Sequence, residues 1–211
     1  MTTRLDYERD GALIYRASFA TIRSEADLSP CDPALEPVVV RMIHACGMTD
    51  LPALVAVSPD LVDAASEAIR KGAPLLCDSM MVANGITRKR LPADNRVRCA
   101  LHDDGVRQAA AAAGTTRSAM AVDRWGSDMA GCVAVIGNAP TALFRLLELV
   151  LDGAPPPAAI VGLPVGFVGA AESKQALAAV AHGVPFLTVH GRRGGSAMAV
   201  AAVNALASSQ E

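Results

Sequence analysis

From residue 53 onward, apolar runs only four or five residues long alternate with stretches of helical pattern. The runs cover residues 53–57, 74–77, 132–136, 158–161 and 185–189, with the more polar residues 96–101 as a further candidate strand. A strand solvated on one face alternates apolar with polar side chains, whereas these runs are apolar but for Thr188. Both of their faces therefore need cover, which predicts a parallel sheet between two layers of helices. Helices are predicted between the runs, over residues 59–71, through Met80 and Met81, over 104–113, from 116 past Trp125, and over 140–151, 171–181 and 196–207.

Two further helices precede this alternation. Residues 9–26 place Leu13, Ala17, Phe19, Ala20 and Ile22 at helical spacing. Asp32-Pro33 then reads as an N-cap with proline in the first turn, opening a helix to Cys46 that Gly47 can close in the left-handed conformation. The predicted fold is a three-layer α/β/α domain with a mostly parallel central sheet and extra N-terminal helices. Residues 1–211 are expected to form one domain, since no linker, repeat or low-complexity segment divides them.

Aromatic residues make up 3% of a chain that is 52% hydrophobic, so the core must be built from small and branched aliphatic side chains. A net charge of −2 gives no sign of a nucleic-acid or membrane surface. The longest uncharged stretch, residues 153–171, holds Pro155, Pro156, Pro157 and Pro164, which would break a membrane helix. The start of the chain is polar and charged, with no secretory pattern, and the five cysteines show no ligand-spaced pair. A soluble cytoplasmic protein with reduced thiols is expected. Of its 19 basic residues only Lys71, Lys89 and Lys174 are lysines. Arginine's planar fork suits carboxylates, so the skew is compatible with a polyanionic ligand, as it is with a compositional bias toward Arg and Ala together.

Three glycine-containing turns are predicted where strands hand over to helices: Gly137-Asn138-Ala139-Pro140-Thr141, residues 162–169, and Gly191-Arg192-Arg193-Gly194-Gly195-Ser196. In open α/β sheets this edge is where ligands bind, and N–H groups at helix starts favour anions. Either tight connections or an anion-lined cleft would account for these turns. No GxGxxG or GxxxxGK[ST] fingerprint is present, which argues against a nucleotide-dependent oxidoreductase, and no GxSxG elbow supports a serine hydrolase. His102-Asp103-Asp104 is the nearest approach to a metal-binding set, but it reads more naturally as a polar turn; no metal or cofactor is expected.

The histidines are His44, His102, His182 and His190. His44 lies on a helix whose apolar stripe is Leu35, Val38, Val39 and Met42, with Arg41 three residues earlier on a neighbouring part of the same face. An imidazole titrates near pH ~6.5 in the absence of perturbation, so this pairing can grip a carboxylate and move a proton. A partly buried histidine bonded to a backbone carbonyl would fit the same spacing.

Several segments together carry a resemblance. Arg41-Met42-Ile43-His44-Ala45-Cys46-Gly47 resembles the histidine helix of the precorrin-8X methylmutases. Gly72-Ala73-Pro74-Leu75-Leu76-Cys77-Asp78 and Met81-Val82-Ala83-Asn84-Gly85-Ile86-Thr87 are similar to the segments that follow it. Thr116-Arg117-Ser118-Ala119, residues 136–143, residues 162–174 (GLPVGFVGAAESK), Gly183-Val184-Pro185-Phe186 and residues 191–198 continue in order. The resemblance spans almost the whole chain. It implies an isomerase of cobalamin biosynthesis that moves a methyl group from ring carbon 11 to ring carbon 12 of precorrin-8X, giving hydrogenobyrinic acid without a cofactor.

The resemblance also implies His44 as proton donor and acceptor and Ser18 and Arg41 as substrate contacts, with Thr87, Arg117 and Ser118 lining the pocket. A homodimer with its pocket near the subunit contact, and hand-over of the product to the next pathway enzyme, are expected on the same basis. The alternatives are a cobalt-precorrin-8 methylmutase and a non-catalytic corrinoid carrier.

Overall fold

The computed structural model describes residues 5–180 and 183–208. Two helices lead the chain, α1 (Gly11–Glu25) and α2 (Glu36–Cys46). The Asp10 carboxylate accepts from the backbone N–H groups of Ala12 and Leu13, meeting donors that the start of α1 would otherwise leave open. Then come β1 (Val55–Val57), α3 (Leu61–Arg70), β2 (Leu75–Cys77), α4 (Met80–Gly85) and β3 (Val97–Cys99). They are followed by α5 (Val106–Ala112), α6 (Arg117–Asp123), β4 (Val133–Ile136) and α7 (Pro140–Leu151). The chain continues through β5 (Ala159–Gly162), α8 (Ala170–Val180), β6 (Phe186–Val189) and α9 (Ser196–Ala207). Ala181, the expected end of α8, and His182 lie outside the described residues.

The strands form one sheet in the order β1-β6-β5-β4-β2-β3, parallel except for β1 against β6. Every residue of β2, β4 and β5 is buried, as their continuously apolar sequence requires. Successive side chains point to opposite faces, so Val133 and Val135 join the core beneath α2, α3, α4 and α9, while Ala134 and Ile136 join the core beneath α6, α7 and α8. Helix α1 lies outside α2 and adds a partial outer layer. Among the described residues no helix is long and apolar enough to cross a membrane.

Two local expectations change. Helix α2 begins at Glu36, not at Pro33: the Asp32 carbonyl accepts from the N–H groups of both Leu35 and Glu36 in a preceding turn, and the first-turn proline is Pro37. Trp125 sits just past α6, at the start of a short 3-10 turn over residues 126–129. The antiparallel course of β1 has a simple cause. Val55 pairs with Val189, the last residue of β6, so the short link after α2 delivers β1 to the carboxyl edge and the strand runs back down from there.

Chain order along the sheet reverses between β2 and β4, the position where an open α/β sheet usually offers a ligand crevice. Here the crevice is filled from within. Asp78, directly after β2, is buried, and its carboxylate accepts from the N–H groups of Gly137 (2.9 Å), Asn138 (2.9 Å) and Ala139 (2.7 Å). Burial pushes its pKa above the ordinary carboxylate value, against the opposing pull of these donors. The turn after β4, which the sequence offers to an external anion, therefore spends its N–H groups on the chain's own carboxylate. Replacing Asp78 by Ala orphans three donors, that of Gly137 buried and those of Asn138 and Ala139 partly so, each worth up to ~1–3 kcal/mol. Urea unfolding of D78A is expected to show a loss of about 3 kcal/mol or more, and D78N a smaller one because an acceptor oxygen remains. A loss below about 1 kcal/mol in D78A would contradict this role.

Candidate functional site

Helix α2 buries Val38, Val39, Val40, Met42 and Ile43, and Gly47 closes it in the left-handed region (φ 70°). His44 falls in its last turn with the side chain exposed at the carboxyl edge of the sheet. Helix α1 crosses α2 in the opposite direction, as two contacts fix. Ser18 meets His44 at one end, and the Arg23 Nε–H donates to Glu36 Oε1 (2.9 Å) at the other.

One turn of α1 holds the imidazole. Ser18 Oγ lies 2.8 Å from His44 Nδ1, which commits that nitrogen and leaves Nε2 without a hydrogen-bond partner among the described residues. The rings of Tyr15 and Phe19 stand 5.2 and 5.1 Å from the imidazole, tilted by 34° and 48° in the geometry that aromatic pairs favour. Tyr15, Ser18 and Phe19 share one helical face by their spacing of three and four residues. The Arg41 guanidinium carbon lies 5.5 Å from the centre of the Phe19 ring. A held imidazole, the exposed Tyr15 ring and a cation thus occupy one surface, with the buried Phe19 ring beneath them. Tyr15 and Phe19 contact the imidazole and were not named as site residues from the sequence, although their spacing around Ser18 was available as a signal.

A hollow of about 580 Å³ runs along α1 and has Tyr15 and Phe19 in its wall, with Arg16 and Arg23 beside them. Its size is within the usual range for a small-molecule pocket. A larger hollow, about 890 Å³, opens near Pro37 and Val38 at the other end of α2, roughly 10 Å along the helix from His44. Its charged wall residues include Arg70 and Glu67, which are paired with each other, and it borders no histidine. The smaller hollow is the better candidate because Tyr15 and Phe19, whose rings contact the imidazole, line it, although His44, Ser18 and Arg41 themselves do not.

The remaining predicted residues stand elsewhere on the molecule. Thr87 is exposed, and its backbone N–H donates to Asn204 Oδ1 (2.9 Å), about 12 Å along α9 from Ser196. Arg117 and Ser118 open α6, whose capping Thr116 hydroxyl donates to that of Thr141 in the first turn of α7. They lie over the opposite face of the sheet from α2, and Arg117 borders a shallow depression of about 330 Å³ with His102, Asp103 and Arg107. None of the three lines the hollow along α1. Among the described residues no three His, Cys, Asp or Glu side chains form a metal-binding group. Burial pushes the Cys132 thiol up to about 12 and that of Cys77 well above its ordinary value, so neither offers a thiolate nucleophile.

Two of the glycine-containing turns are tied together beside the α2 terminus. The Gly195 N–H donates to the Leu163 carbonyl (2.8 Å) and the Gly166 N–H to the Arg192 carbonyl (3.3 Å). Arg193 pairs with Asp50, which follows α2, at 2.7 Å. The Arg192 guanidinium stacks 5.2 Å over the ring of Phe167, which is 83% exposed.

Comparison with known proteins agrees with this architecture. The family model of the precorrin-8X methylmutases matches residues 13–209. A curated precorrin-8X methylmutase of Pseudomonas aeruginosa is 57% identical over 207 residues, covering 98% of this chain and 100% of that protein. One from a Sinorhizobium species is 57% identical over 202 residues, covering 96% of each. The crystal structure of a precorrin-8X methylmutase from Thermus thermophilus superposes with a TM-score of 0.84 at 38% identity, covering 93% of this chain and 95% of that one. With a family match from residue 13 to residue 209 and relatives aligned over nearly their whole length, the chain belongs to the precorrin-8X methylmutase family.

Proposed function

We propose that this chain isomerises precorrin-8X to hydrogenobyrinic acid by moving the methyl group on ring carbon 11 to ring carbon 12, with His44 lending and recovering a proton. The observation that carries the role of His44 is the 2.8 Å contact between Ser18 Oγ and Nδ1 of an otherwise exposed imidazole. The names of the relatives at 57% identity support the substrate.

The chemistry asks little of the protein beyond placement and polarisation. The methyl group leaves one ring carbon as it joins the next, so substrate and product have the same atoms and no external group is consumed. With Nδ1 engaged by Ser18, Nε2 is the nitrogen that can donate to the macrocycle and later take the proton back. Donation draws electron density toward the protonated position and favours the rearranged arrangement of double bonds. Tyr15, backed by the buried Phe19, supplies apolar surface for the flat ring, and Arg16 and Arg41 supply cations for the acetate and propionate groups at its rim.

Thr87, Arg117 and Ser118 are proposed as contacts with more distant parts of the substrate on the strength of their motif match. A homodimer forms part of the same proposal. The exposed Leu13 and Ile14 of α1 are apolar side chains that a second copy would cover, and light scattering is expected to give twice the mass of the chain. The enzyme would work in the cytoplasm and pass its product to the enzyme that next consumes it.

H44A is expected to lose ~100-fold to ~10,000-fold in turnover, followed as the absorbance change of metal-free substrate, while still binding the macrocycle. S18A, which frees the imidazole to rotate, is expected to lose about tenfold. Unchanged turnover in H44A would remove the histidine from the mechanism. Conversion of cobalt-loaded substrate alone would favour the cobalt-precorrin-8 reaction, and tight binding without conversion of either would leave a carrier.

A further inference from the structure

Lys174 is fully buried in the first half of α8, at the end of the run GLPVGFVGAAESK, and none of the roles above uses it. Desolvation pulls the pKa of its ammonium down to about 8, so folding has placed a charge where a hydrocarbon would be less costly. The hydrogen bond it makes there runs from Nζ to the backbone carbonyl of Arg193 at 2.5 Å. That carbonyl belongs to the turn after β6, which is also pressed from the other side. A side-chain carbon on Gly194 would lie 2.4 Å from the Leu163 carbonyl oxygen and 2.5 Å from that of Pro164, so only glycine permits the approach.

The turn so fixed carries Arg192, stacked over Phe167, beside a Val168 that is 89% exposed. An exposed ring with a guanidinium against it and an exposed valine next in sequence form a plate that suits a ligand with an apolar face and an acidic rim. We propose that Lys174 is a positioning residue: its ammonium fixes residues 191–195 so that Arg192 and Phe167 meet a carboxylate-bearing edge of the substrate. The inference rests on the proposed macrocyclic substrate. It adds a binding element on the turns after β5 and β6 that the His44 surface does not contain.

The test measures KM and kcat, together with equilibrium binding of hydrogenobyrinic acid, for K174M, K174R, G194A and R192A. Losing a guanidinium–carboxylate contact is worth ~1.5–3 kcal/mol, which corresponds to a KM raised about tenfold or more. K174M, G194A and R192A should each show that rise with kcat changed less than about threefold, and K174R should recover part of it. K174M combined with R192A should be little worse than either alone, because both act through one contact. G194A displaces the same turn with Lys174 intact, so it decides the matter if K174M does not fold. A KM within about twofold of the unmodified enzyme in G194A and R192A, or a fall in kcat with KM unmoved, would overturn the proposal. Failure of the unmodified chain to bind the product would overturn the substrate assignment as well, whereas normal binding by both it and R192A would overturn this inference alone.

Discussion

An imidazole on a helix surface is a poor proton-transfer group while its ring is free to turn, because each rotamer offers a different nitrogen to the ligand. Here the antiparallel lay of α1 across α2 removes that freedom. Ser18 engages Nδ1, and the rings of Tyr15, one turn earlier, and Phe19, the next residue, pack against the imidazole. The Arg23–Glu36 pair at the far end of the crossing is half-exposed and adds little energy by itself, but it fixes the same relative direction of the two helices. The outer helix is thus less a cover for the core than a holder for one side chain of its neighbour.

The parallel sheet places that holder. Its two cores anchor α2 and α9 on one face and α7 and α8 on the other, so the turns after β4, β5 and β6 share one edge with the end of α2. Their divisions of labour differ. The turn after β4 is satisfied internally by Asp78 and closes the switch point. The turns after β5 and β6 are tied to each other and, through Arg193 and Asp50, to the segment after α2. At the turn after β4 the backbone donors are consumed within the fold, whereas the turns after β5 and β6 present the side chains of Phe167 and Arg192.

Much of this was legible in the sequence because it depends on local pattern. The apolar runs gave β2, β4, β5 and β6 within about a residue, and proline or glycine punctuation set α7 and the end of α2. His44, Ser18 and Arg41 could be named from motif likeness, and the coordinates bring them together around Phe19. Other features depend on partners distant in sequence. The Asp78 cap reaches across 59 residues to Gly137, so nothing near either end announces that the turn is already occupied. The direction of β1 follows from where α2 ends in space, which its own three residues do not encode. Pro33 misled because a turn and a helix start use the same Asp-Pro signal, and the accepting Asp32 carbonyl serves the turn.

The most direct test is a structure of the enzyme with hydrogenobyrinic acid bound. The macrocycle is expected to rest on Tyr15 with His44 Nε2 within hydrogen-bond distance, ~3.2 Å or less, of the ring, and with Nδ1 still on Ser18. A macrocycle seated away from α1, or one that leaves Nε2 beyond hydrogen-bond reach while Nδ1 turns to meet it, would contradict the assignment of His44.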